Sequence, residues 1–123
     1  MQVVRAADAP RFELGGVEFA VFASPSNGSK QLCAWRLTLP PGHGGDAPHT
    51  IDADEVFVVL SGSVRLTPDG EKLGPGDALV VPAGEPIQVT NLGDEPAALH
   101  VAITAGFTGT MADGTKVQPH WAQ

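Results

Sequence analysis

With 123 residues, 42% of them hydrophobic, the chain is sized for one globular domain with a real core, and disorder is excluded. Seven Lys and Arg against fourteen Asp and Glu leave a net charge of −7. That excludes the basic face needed by nucleic acid or an anionic membrane, so neither is expected as a partner. There is no apolar run of bilayer length, and the N-terminus lacks the charged-then-apolar pattern of a secretory leader. A soluble, cytoplasmic protein is expected.

Residues 1–16 read as an N-terminal arm, and 17–23 (VEFAVFA) as the first strand. The turn cluster SPSNGS follows. Residues 31–39 alternate, with Cys33, Trp35, Leu37 and Leu39 on one face and Ala34, Arg36 and Thr38 on the other. This period of two predicts a half-buried strand, which Pro40-Pro41-Gly42 ends. The segment HGGDAPHTIDAD is expected as a loop. Strands are then predicted at 55–60, 64–67, 78–81, 86–91 and 97–104, separated by turns rich in Gly and Pro. Residues 105–123 read as a loop or tail. No stretch has helical periodicity over three turns. Short strands at even spacing predict an all-β, single-domain jelly-roll barrel, whose closure removes exposed strand edges.

The lone cysteine, Cys33, has no intrachain disulfide partner and sits in an apolar run, so it is expected in the core. Asp52 and Asp54 lack calcium-loop spacing and are expected to solvate a loop. Ser61-Gly62-Ser63 is a hairpin turn rather than a hydrolase signature.

The turn residues carry a pattern. His49-Thr50-Ile51 is followed after three residues by Glu55, and after six more by Gly62, with Pro41-Gly42 upstream. Gly76, Pro82, Gly84 and Asn91 form a second set. Together these resemble the two sequence motifs of the cupin superfamily, over about residues 32–103. Independently of that resemblance, Gly62 and Gly84 suit turns needing positive φ, and Pro75 and Pro82 stiffen corners.

The resemblance implies a metal held by two histidines and a glutamate of the first motif and a histidine of the second. Those positions are His49, Ile51, Glu55 and Ile87 here. Two of the four are isoleucine and cannot coordinate a metal. The remaining pair would hold a divalent transition metal weakly, unless another residue completes the set. His100 is the first candidate, with His43 and His120 behind it.

Without metal, an imidazole beside a carboxylate is a general acid/base pair, so His49 and Glu55 are the candidate catalytic residues. Trp35, Ile51, Phe57, Ile87 and His100 are the candidate binding residues of an apolar cavity inside the barrel. The favoured function is binding of a small, largely apolar molecule, with acid/base chemistry by His49 and Glu55. The alternatives are a metal-dependent oxygenase, isomerase or cyclase using His49, Glu55 and His100, and a non-catalytic structural or sensory subunit. A homodimer is expected, with Phe19, Phe22 or the Trp121 tail at its interface.

Overall fold

A computed structural model describes residues 1–44 and 47–123. Eleven strands are present among them: β1 Arg11–Leu14, β2 Val17–Ala23, β3 Leu32–Leu39, β4 Thr50–Ile51, β5 Glu55–Ser61, β6 Val64–Arg65, β7 Ala78–Val81, β8 Thr90–Asn91, β9 Ala97–Thr104, β10 Gly109–Thr110 and β11 Lys116–Val117. Six form one antiparallel sheet in the order β1-β2-β3-β9-β5-β7. The second layer is assembled from shorter pieces, β11-β10-β4 and β6-β8, with bridges between His49 and Ile87 and between Val64 and Leu73. This is the expected jelly roll.

The core lies between the layers. Strand alternation sends Cys33, Trp35, Leu37 and Leu39 of β3 inward, with Leu99, Val101 and Ile103 of β9 and Phe57 and Val59 of β5. They meet Ile51, Val64, Leu66 and Ile87 from the second layer. The ladder fixes which of them are neighbours: Cys33, Ile103, Glu55 and Val81 form one row, and Trp35, Val101, Phe57 and Leu79 the next.

Strands β2, β7 and β9 lie at the residues expected. The strand expected at 86–91 shrinks to β8, because the segment changes partner as it runs. Ile87 exchanges both backbone hydrogen bonds with His49, whereas Gln88 N–H donates to the Leu66 carbonyl. The expected arm contains β1, paired with β2 through a two-residue Gly15-Gly16 turn with φ of 58° and 84°. Only glycine adopts two successive positive φ angles readily, and this is the hairpin that matches strand twist. Thr50–Ile51 of the expected loop is β4.

The expected tail is also structured. It forms the β10–β11 hairpin and then a 3-10 turn at His120–Ala122 that docks on the inner face of the sheet. The Trp121 ring stacks on Phe19 with centroids 4.0 Å apart and meets Trp35 edge-on at 6.3 Å. Cys33 is fully buried, and its thiol donates to the Ala122 carbonyl at 3.4 Å. The tail therefore supplies the cover that the fragmented second layer does not provide over β2 and β3.

Gly62 in a turn and Asn91 in β8 tie neighbouring segments together. Gly62 has φ of 87°, and a Cβ there would lie 2.6 Å from the Ala97 Cβ. Asn91, 2% exposed, donates from Nδ2 to the carbonyls of Pro40 (3.0 Å) and Glu95 (2.8 Å), while its Oδ1 accepts from Gly93 N–H (3.0 Å). Removing one partner strands the others without water. Asn91→Ala is expected to cost roughly 3 kcal/mol, read as a lower urea midpoint with an unchanged denaturant slope.

Candidate functional site

Glu55 opens β5, and its parity with Phe57 and Val59 turns its side chain into the core. The residue is 5% exposed, flanked along its row by Ile103 and Val81. Among the described residues no hydrogen bond or opposing charge acts on the carboxyl. Desolvation alone raises it from the usual 4.5 to about 7.

His49 precedes β4. Its N–H donates to the Ile87 carbonyl at 3.0 Å, and its carbonyl accepts from Ile87 N–H at 2.7 Å. This bridge ties the two motif segments together at the backbone. His49 is half-buried and two residues from the buried Ile51. Ile87, Phe57, Trp35 and Ile51 are each under a tenth exposed, so the positions expected to be apolar are buried together in one core.

His100 does not join them. It pairs with Arg36 on one side and Val58 on the other, on the outer face of the sheet, and its ring stands edge-on to Phe22 at 5.7 Å. The sheet itself separates it from the inward Glu55, because successive side chains of a strand point to opposite faces. The expected roles of His100 as a third metal ligand and as a residue of the barrel interior are therefore corrected. His120 is exposed on the C-terminal turn. His43 is half-buried, and its carbonyl accepts from Asn91 N–H at 2.7 Å.

The donor set can be tested against a metal. Among the described residues no group of three or more His, Cys, Asp or Glu side chains could hold one. Ile51 and Ile87 occupy the two buried positions where ligands would be needed. The residues do not fit a four-ligand centre.

Asp52 and Asp54 do more than solvate a loop. Asp52 Oδ1 accepts from Thr108 N–H at 2.7 Å, and Asp54 Oδ1 from Ala83 N–H at 2.9 Å. They anchor the entry to β5 against two other loops. Burial pushes the Cys33 thiol up, as befits a core cysteine.

A feature the expectation missed lies outside. A groove of about 150 Å³ runs over the outer face of the sheet, lined by Phe22, Ala34, Val56, Val58, His100 and Ala102. A second hollow of about 110 Å³ lies beneath the C-terminal turn, against Pro25, Phe107 and Pro119. The groove had a signal in the sequence: alanines recur at the outward positions 34 and 102 of two strands that pair.

The cupin-domain family model matches residues 35–103, more than half of the chain. The chain belongs to the cupin family. No curated protein matches it in sequence. Among solved structures it is similar to the polyketide cyclase RemF from Streptomyces resistomycificus, with a TM-score of 0.75 and 21% identity over 85% of this chain and 79% of that one. It is also similar to a sugar phosphate isomerase of the cupin superfamily from Silicibacter pomeroyi (TM-score 0.66, 27% identity, 80% of this chain and 66% of that one). A third is an oxalate decarboxylase from Bacillus subtilis (TM-score 0.72, 23% identity, 89% of this chain), of which the chain spans 31%. Among the described residues no helix is long and apolar enough to cross a membrane.

The raised acid makes stability depend on pH with a definite sign. Between about 4.5 and 7 the folded state keeps a proton that the unfolded state has lost. Stability from this group is therefore greatest below that window and falls as pH rises through it. At about 1.4 kcal/mol per pH unit, the loss above the window is roughly 3 kcal/mol. Glu55→Gln is expected to match the wild type near pH 4.5 and to exceed it by roughly that amount at about pH 8. Urea unfolding at both pH values reads the difference.

Proposed function

We propose that this cupin binds a small, largely apolar molecule in its barrel, and that Glu55 takes the molecule's one polar group. The observation that carries the reading is a carboxyl 5% exposed, among apolar side chains, with no protein partner among the described residues. Near neutral pH such a group is divided between acid and carboxylate. It can donate a hydrogen bond to a carbonyl or take a proton from a weak acid without help from a metal. His49, bridged to Ile87, is the second polar residue assigned to the site, and the pair supplies acid/base chemistry on a suitable substrate.

The chemistry of the structural relatives is varied, so the fold does not choose the reaction. The inward residues narrow it. No Lys or Arg lies on the inward face of β3, β5 or β9 to meet a phosphate, and Ile51 and Ile87 are apolar. A sugar phosphate fits this interior poorly, whereas an aromatic or alicyclic molecule with one hydroxyl, carbonyl or amine fits it well. The metal-dependent alternative loses support from the outward position of His100.

A thermal-shift screen of phenols, aromatic ketones and weakly basic amines tests the reading, since a ligand that binds only the folded state raises its melting temperature. The expected result is at least one compound whose affinity drops about tenfold or more in Glu55→Ala, the loss of one well-placed polar contact, and is unchanged in His120→Ala. Where turnover is found, His49→Ala should abolish it and leave the fold intact. A ligand held equally well by wild type and Glu55→Ala overturns the assignment of Glu55.

A further inference from the structure

We infer that the outer face of the sheet carries a second ligand site, which takes a small aromatic carboxylate with its ring in the groove and its carboxylate on Arg36 and His100. The ladder orders this face in rows. Ala34, Ala102 and Val56 make one outward row, and Arg36, His100 and Val58 the next. The paired alanines lack the bulk of their neighbours and floor the groove of about 150 Å³, which Phe22 walls on the β2 side. Enclosed apolar cavities of about this volume bind benzene. Successive rows lie about 6.6 Å apart along a strand. One substituted ring therefore reaches from the alanines to Arg36.

Charge decides the head group. The chain has seven Lys and Arg against fourteen acids. Even so, Arg11, Arg36 and His100 fall on a single outward row, with the small Ala20 between the two arginines. Among the described residues neither arginine has a hydrogen bond or an ion pair, although Glu18 stands one row along on β2. A guanidinium with free donors at the rim of an apolar groove matches a planar carboxylate bidentately. His100, directly opposite Arg36, adds a ring nitrogen and stands edge-on to Phe22 at 5.7 Å.

The groove itself offers an anion no opposing carboxylate. Neither β3 nor β9 contains an Asp or Glu, and the one acid of β5, Glu55, points inward. The outward acids of the sheet, Glu13 and Glu18, lie on β1 and β2, beyond the row of arginines. The net charge of −7 is screened beyond about 8 Å at physiological salt, and contact with Arg36 is closer than that. An amine would find no acid in the groove, and a neutral hydrocarbon would leave Arg36 unused. A carboxylate with one aromatic ring uses both parts. The sheet separates this site from Glu55, so the two faces select ligands of different charge.

The inference stands apart from the proposed interior ligand and is tested without it. Isothermal titration with 4-methylbenzoate is expected to show one site per chain. The matching 4-methylbenzamide should bind at least about tenfold more weakly, the worth of one charge-assisted hydrogen bond. Arg36→Gln should bring the carboxylate down to the level of the amide. Ala102→Leu, at an exposed position, should fill the groove and weaken the carboxylate, while Glu55→Gln leaves it unchanged. Each variant should keep the wild-type β-sheet circular dichroism spectrum. No binding of the carboxylate at millimolar concentration overturns the inference, as does equal binding of carboxylate and amide. So does an affinity that survives Arg36→Gln or Ala102→Leu, since the site would then lie elsewhere. A wild type that sediments as a dimer broken by Val80→Lys also overturns it, because a second copy would then cover the face.

Discussion

The ladder of β3, β9 and β5 is the constraint on which the rest depends. Eight consecutive pairs join β3 to β9, and β5 continues the register on the far side. Once that register is set, every side chain of the three strands has its face assigned. A slip of one residue would bring Glu55 out and His100 in, and would expose Trp35, Phe57 and Leu99 together. The apolar gain from burying those large residues is what drives one acid into the core with them. Glu55 is buried as a consequence of its neighbours, and its unusual acidity follows from that.

The second layer is too fragmented to cover this sheet alone. Its strands are two residues long, and continuity comes from single contacts: the His49–Ile87 bridge, the Asn91 amide spanning three segments, and two aspartates tying loops together. The C-terminal turn completes the cover by laying Trp121 on Phe19. The barrel is thus one rigid ladder closed by a set of local pins. Substitutions in the ladder act through packing, whereas substitutions in the pins act through unsatisfied backbone groups.

This division explains what could be read from the sequence. Alternation marked β3, and apolar runs bounded by Gly and Pro turns marked β2, β5, β7 and β9. In β9 the alternation alone did not say which face turns inward, so His100 was expected inside although it shares its face with Ala98 and Ala102. The two-residue strands β4, β8, β10 and β11 are too short to show a period and take their form from partners distant in the chain. The β1–β2 hairpin was read as an arm, although the Gly15-Gly16 pair between apolar residues is a hairpin signal. At the site, Ile51 and Ile87 were legible as apolar, and both are buried in the core. The docking of Trp121 was hidden, because nothing local distinguishes an aromatic residue in a free tail from one that folds back.

Glu55 connects stability to function through the proton. A buried acid raised to about 7 removes roughly 3 kcal/mol at alkaline pH from folding energies of order 5–15 kcal/mol. A partner that satisfies the group recovers part of that loss, and the direction depends on the partner's chemistry. A hydrogen-bond acceptor, such as a carbonyl, favours the protonated acid and raises the value further, so its binding takes up protons. A cationic amine favours the carboxylate and lowers the value, so its binding releases them. The two ligand classes therefore carry opposite pH dependences on the same residue. The proton count on binding reports which kind of polar group the barrel selects, before the ligand's structure in the site is known.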